Sequence, residues 1–193
     1  MTTVYFIRHA QSDSSVADSR IRPLTPKGFN DRLLVTNFLK DKQIDAVLSS
    51  PYKRSIDTVL DFAGKNDLPV EIIEDFKEHQ TISDQYSDKD YFLFIQRYWS
   101  DMDYKIGDDE SLAEVQKRNI AALRRILERY PNQNIVIGTH GIALSTILHY
   151  YDRTFGYQDF YSIAKVKPWA VKMELNHDDC LSIEKINLFS AQK

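Results

Sequence analysis

Three short apolar runs in this chain each end on residues that can handle an anion. Val4-Tyr5-Phe6-Ile7 leads into Arg8-His9, Ala46-Val47-Leu48 into Ser49-Ser50 and then Arg54, and Ile135-Val136-Ile137-Gly138 into Thr139-His140-Gly141. β-branched and aromatic residues in runs this short read as buried strands. Ligands of a layered α/β sheet sit beyond the carboxyl ends of its strands. Two imidazoles and two guanidiniums are therefore expected at one rim. Arg54 lies one turn into a helix whose free N–H groups and partial positive charge suit an anion. Guanidinium forks match phosphate oxygens. A lone Arg-His pair is a weak signal, but this combination points to a phosphoryl group as the guest.

Phosphoryl transfer mostly requires positioning and charge neutralisation. A neutral imidazole is a competent nucleophile when its other nitrogen is held by a hydrogen bond. The leaving alkoxide then needs a proton from a nearby carboxylic acid. Glu78, just past the third strand, is one candidate; Glu110 and the Asp108-Asp109 pair are others. The ordinary state of any one of them is a solvated surface carboxylate. His9, His140 and a carboxylate could in principle ligate zinc or a non-haem metal. The chain has no HxxxH or HxH pair, and two arginines at the rim would repel a cation, so no metal site is expected.

The elements that must position these residues follow from periodicity and caps. Thr25-Pro26 gives an N-cap and a first-turn proline, and Phe29, Leu33, Leu34, Phe38 and Leu39 follow at helical spacing. Ser50-Pro51 repeats that start for a helix that stops near Gly64. Val70–Ile73 reads as a third strand, Tyr91–Trp99 as an aromatic-rich helix, Glu110–Tyr130 and Gly141–Tyr150 as helices. Val171–Leu175 and Leu181–Ile186 read as a hairpin around residues 176–179. Strands alternating with helices predict a three-layer αβα sandwich with a mostly parallel central sheet. The 193 residues are expected to form one domain with a helical insertion at about 76–109, acting as a partial lid over the site.

Composition bounds the class. Net charge is −3, from 25 basic and 28 acidic residues, so no overall basic surface invites nucleic acid or an anionic membrane. Cys180 is the only cysteine, which excludes an internal disulfide and fits a reducing cytoplasm. The opening MTTVYFIRHAQSD lacks a basic start and a long apolar run, so a cytoplasmic protein is expected.

Five segments, in order, resemble the motifs of the histidine phosphatase superfamily, also called the phosphoglycerate mutase-like family. Ile7-Arg8-His9-Ala10 resembles its RHG signature and Leu24-Thr25-Pro26-Lys27-Gly28 its LTxxG segment. Residues 48–58 resemble its SSPxxRxxxT segment, Glu110-Ser111 its ES pair, and Thr139-His140-Gly141 its second-histidine motif. The resemblance implies a catalytic set of His9, Arg8, Arg54, His140 and Glu78. His9 would be the nucleophile that becomes phosphohistidine. Arg8, Arg54 and His140 would hold the phosphoryl group, with Gly141 beside them. Glu78 would protonate the leaving group and then activate water. It also implies no metal and no organic cofactor. Ala10 replaces the usual glycine, and the asparagine found a few residues later in mutases is missing; Ser12 is expected to supply a hydroxyl instead. Arg22-Pro23-Leu24-Thr25 is similar to the RPLT run of small bacterial protein-phosphohistidine phosphatases, which adds Arg22 to the substrate-binding set.

The expected activity is hydrolysis of a small phosphorylated metabolite, by a monomer or homodimer. A phosphoglycerate-type mutase and a protein phosphohistidine phosphatase are the enzymatic alternatives. A non-catalytic phospho-ligand-binding module is the alternative from another class. Tyr91-Phe92-Leu93-Phe94 and the tyrosines at 150, 151, 157 and 161 are read as packing residues. His79 is read as a residue able to touch substrate.

Overall fold

The computed structural model describes residues 1–81 and 88–190; residues 82–87 of the expected insertion lie outside them. Alternation along the strands decides the layers. In β1 (Thr2–Arg8), Val4 and Phe6 enter one core while Tyr5 and Ile7 enter the other. In β4 (Asn134–Thr139), Ile135 and Ile137 side with the first pair and Val136 with the second. A sheet apolar on both faces must be covered on both. Helices α1 (Pro26–Leu39) and α2 (Lys53–Lys65) cover one face through Val35, Leu39, Val59 and Phe62. Helices α3 (Asp88–Ser100), α4 (Leu112–Arg129), α5 (Gly141–Tyr151) and α6 (Tyr157–Ile163) cover the other, where Ile95, Leu123, Leu144 and Phe160 are buried.

The remaining strands are β2 (Ala46–Ser49), β3 (Val70–Ile72), β5 (Trp169–Asn176) and β6 (Asp179–Ile186). The sheet order is β3-β2-β4-β1-β5-β6. The first four are parallel; β5 pairs antiparallel with β1, and β6 closes a hairpin on β5. The three-layer, mostly parallel sandwich is as expected.

Register is what makes the site. Arg8 lies opposite Thr139, and Gly138 opposite both Ile7 and Ser49. The ladder runs one residue further, with the His9 N–H donating to the Thr139 carbonyl at 3.0 Å and the Ser50 N–H to the Gly138 carbonyl at 2.9 Å. Three strand ends therefore finish side by side, about 4.8 Å apart.

Several local expectations change. Ser50 does not cap α2. The helix starts at Lys53 with Tyr52 at the cap position and no side-chain cap. The Ser50 hydroxyl instead accepts the Tyr52 N–H at 3.2 Å and bonds His140. On α1 the apolar stripe is turned: Phe29 and Leu33 are 39% and 44% exposed, and Gly28, Val35, Thr36 and Leu39 face inward. Helix α6 carried no signal beyond its aromatic residues.

Gly28 explains the turn of α1. Thr25 caps the helix by accepting the Gly28 N–H at 3.0 Å. A Cβ on Gly28 would stand 2.1 Å from the Gln11 carbonyl oxygen. The helix start is thus packed directly on the segment that follows His9. Gly28→Ala is expected to cost about 1–3 kcal/mol through overpacking, read as a lower urea midpoint. An unchanged midpoint would contradict this account.

Candidate active site

His9 ends β1 nearly buried. Its Nδ1 lies 2.7 Å from the Ala10 carbonyl oxygen. A carbonyl only accepts, so Nδ1 carries the proton and Nε2 of the neutral ring keeps a lone pair. Arg54 approaches that lone pair, its Nε–H donating at 3.2 Å. Burial first, then the charge of Arg54, holds His9 well below the usual histidine range. Thr58 locks the arrangement: its Oγ1 accepts the Ala10 N–H at 3.0 Å and donates to the Arg54 carbonyl at 2.7 Å. The Arg54 Nη1 also reaches the Ser19 carbonyl at 2.5 Å, tying the polar loop before α1 to the site.

The His140 ring lies 5.3 Å from that of His9, edge to face. Its Nε2 is 2.6 Å from the Ser50 Oγ. Its Nδ1 is buried without a hydrogen-bond partner among the described residues. Ser50 already accepts from Tyr52, so its own proton is free to point at Nε2. That leaves the His140 proton on Nδ1 as an unused donor. Burial, then Arg54, holds His140 low as well. His140 is fully buried and is not on the wall of the cavity in front of His9, so it stands one layer back from the place expected of a direct phosphate ligand.

Arg8 is on that wall. Its Nη1 and Nη2 donate to the Ile163 and Ala164 carbonyls at 2.7 and 3.0 Å, while its Nε is buried without a partner. The expected open two-pronged fork is thus partly spent on backbone. A Cβ on Gly141 would stand 3.0 Å from the Arg8 Nη2, so the glycine makes room for the guanidinium. Ser12, Arg22 and Gly141 also line the cavity. Arg22 is steadied by its Nε donating to the Val16 carbonyl at 2.9 Å.

Of the candidate acids, only Glu78 lines the cavity. Its Oε1 accepts the Ala143 and His79 N–H groups, each at 2.9 Å, and its Oε2 accepts the Ile142 N–H at 3.2 Å. It therefore lies across the start of α5, the helix that His140 leads into. Glu110 is elsewhere, paired with Arg118 at 2.8 and 2.9 Å. Burial acts to raise it, but Arg118 and the Gln80 N–H outweigh burial and hold it below the usual carboxylate range. Asp109 is buried, accepting from Thr81 at 2.7 Å and Tyr98 at 2.5 Å, and Asp108 is exposed. His79 does not reach the cavity; its Nε2 is 2.6 Å from the Glu110 carbonyl and its ring packs on Tyr98.

Arg118 is a residue that no motif or spacing marked. Its Nη1 donates to the Asp75 and Lys77 carbonyls at 2.7 and 2.8 Å, and its Nη2 to the Glu78 carbonyl at 3.2 Å. It fixes the backbone that presents Glu78, and Glu110 fixes Arg118. Tyr91 and Phe92 of α3 correct another reading: they line the cavity, whereas Ile95 and Tyr98 of the same helix are core. The cavity holds about 590 Å³. Among the described residues, no group of three or more His, Cys, Asp or Glu is placed to hold a metal ion, and no helix is long and apolar enough to cross a membrane.

A doubly covered, mostly parallel sheet with a buried neutral histidine at its central strand end, flanked by arginine and a second histidine, defines a phosphoryl-handling α/β protein. The chain belongs to the histidine phosphatase superfamily (branch 1), whose family model matches residues 4–178. It is 26% identical over 152 residues to the Bacillus subtilis protein named uncharacterized phosphatase PhoE, covering 77% of this chain and 76% of that one. Its fold matches Bacillus stearothermophilus YhfR with a TM-score of 0.76 at 22% identity, over 93% of this chain and 94% of that one. It also matches a mutant phosphoserine phosphatase of Entamoeba histolytica in complex with phosphoserine, with a TM-score of 0.71 at 21% identity, over 95% and 96% of the two chains.

The depressed histidines have a signed consequence. The unfolded chain takes up protons near pH 6.5 and the folded chain only at lower pH. Stability from keeping these rings neutral is full above pH 6.5 and is lost as pH falls through the folded values. NMR titration should show the His9 and His140 ring signals unchanged through pH 6.5. A midpoint at or above 6.5 would contradict the burial argument.

Proposed function

We propose that the protein is a metal-independent phosphatase that hydrolyses small phosphomonoesters through a phosphohistidine on His9. The observation that carries this reading is the His9 ring itself, with Nδ1–H on the Ala10 carbonyl and an Nε2 lone pair met by the Arg54 Nε–H. In the first step Nε2 forms a bond to phosphorus while the ester P–O bond breaks. The leaving oxygen takes a proton from Glu78. Glu78 Oε2 accepts only the longer of the two α5 N–H bonds, at 3.2 Å, and retains a lone pair to carry that proton. In the second step the Glu78 carboxylate takes a proton from water, the water oxygen bonds phosphorus, and the P–N bond breaks to release phosphate and restore His9. Arg8 and Arg54 neutralise the phosphoryl oxygens, and a His140 Nδ1–H is the donor behind them. Two guanidiniums supply the positive charge that a metal ion supplies at other phosphoryl-transfer sites.

Hydrolysis of para-nitrophenyl phosphate in EDTA tests the reading. Turnover is expected to persist in chelator and to fall about a thousandfold or more in His9→Ala. Label from a radioactive phosphoester should be trapped on His9 in a bond stable to base and labile to acid. Phosphate binding without turnover would support the non-catalytic module instead, and label on serine or aspartate would overturn the mechanism.

Glu78→Gln separates the acid from the rest of the site. Its rate with an alkyl phosphate should fall by about 10²–10⁴, and by much less with para-nitrophenyl phosphate, whose leaving group needs no proton. Equal losses with both esters would place the proton donor elsewhere.

A further inference from the structure

The cavity carries more positive charge than the reaction uses. Arg8 and Arg54 serve the phosphoryl group, yet Arg22, Lys27, Lys165 and Lys167 line the same cavity. Glu78 is the only carboxylate among its described wall residues, although the chain as a whole is net acidic at −3. The volume of about 590 Å³ is in the range that holds a whole small-molecule ligand, so much of it is left for the leaving group.

The placement of the lysines is built into the site. Lys165 and Lys167 lie on the segment that follows α6. The carbonyls of Ile163 and Ala164 at the head of that segment accept from the Arg8 guanidinium. The same arginine that borders the phosphoryl position thus fixes the strap bearing both lysines. The Lys167 charge acts on both His9 and His140, which puts its ammonium within electrostatic reach of the reacting centre. Lys27 comes from the first turn of α1, where it pairs with Asp31 and stands 5.5 Å from the Phe189 ring. Tyr91, Phe92 and Phe160 give the cavity apolar wall as well. A cleft lined by one sign of charge concentrates the opposite sign. An ammonium acts as a point charge without demanding one ligand geometry.

We propose that Lys165 and Lys167, with Lys27, form a second anion subsite, so that the substrate is a phosphomonoester whose leaving group itself carries an anionic group, a carboxylate or a second phosphate. This rests on the phosphatase reading and specifies its substrate class.

The experiment compares kcat/KM for three esters with similar leaving groups: propyl phosphate, 3-carboxypropyl phosphate and propane-1,3-diol bisphosphate. At least one doubly anionic ester should exceed propyl phosphate by about tenfold or more. Preference for the carboxylate ester, for the bisphosphate or for both supports the subsite and says which anion it takes. The preference should collapse in Lys165→Glu, a change at an exposed side chain, and in Lys167→Ala, each checked for folding by its melting temperature. Equal kcat/KM for all three esters would overturn the subsite and leave the phosphatase reading standing. A preference that survives both substitutions would overturn the assignment to these lysines. Turnover of para-nitrophenyl phosphate with none of the three alkyl esters would also overturn the subsite, whereas no turnover of any ester, the nitrophenyl one included, would remove the phosphatase reading and this inference together.

Discussion

A histidine can attack phosphorus only while one ring nitrogen keeps a lone pair directed at the substrate. In water near neutral pH that condition is met part of the time, with the ring turning and the proton moving between nitrogens. Here the hydrogen bond from His9 Nδ1 to the Ala10 carbonyl sets the proton on one nitrogen and the ring in one plane. Burial then keeps the second proton off. The rest of the site depends on that bond. Ala10 is itself held through its N–H by Thr58, Thr58 bonds the Arg54 carbonyl, and Arg54 returns its Nε–H to His9. The loop of contacts closes because parallel pairing of β2, β4 and β1 sets the strand ends level.

Two arginines act as ties between distant backbone segments. Arg8 joins the end of β1 to the segment after α6, and Arg118 joins α4 to the segment that bears Glu78. Backbone carbonyls satisfy a guanidinium's donors without neutralising its charge. Arg8, whose partners are carbonyls, therefore contributes its field to the cavity, unlike Arg118, whose charge is met by Glu110. The absence of acidic partners on most of the cavity wall is what leaves the site suited to anions.

Much of this was legible in the amino-acid sequence because it is local. Val4-Tyr5-Phe6-Ile7 and Ile135-Val136-Ile137 read as buried strands, and both His9 and His140 follow directly from them. Placement of Arg54 followed from its position one turn into a helix. What escaped was set by tertiary contact. The Ser50 hydroxyl looked like a helix cap until a histidine 90 residues away claimed it. The inward face of α1 is decided by the close approach of Gly28 to Gln11, and a hydrophobic stripe that included Phe29 and Leu33 misled for that reason. Glu110 and Glu78 could not be ranked from spacing, because the choice between them is made by Arg118, which neither motif includes. Tyr91 and Phe92 share a helix with core residues, and only the packing of α3 separates the two faces.

The most direct test of the central claim is a crystal structure of the protein with vanadate, which adopts the five-coordinate geometry of a phosphoryl group in transfer. The account requires vanadium bonded to Nε2 of His9, equatorial oxygens met by Arg8, Arg54 and the Nδ1 of His140, and the apical oxygen opposite Nε2 facing Glu78. Vanadate bonded to another residue, or seated away from His9 while Nδ1 still holds the Ala10 carbonyl, would contradict it.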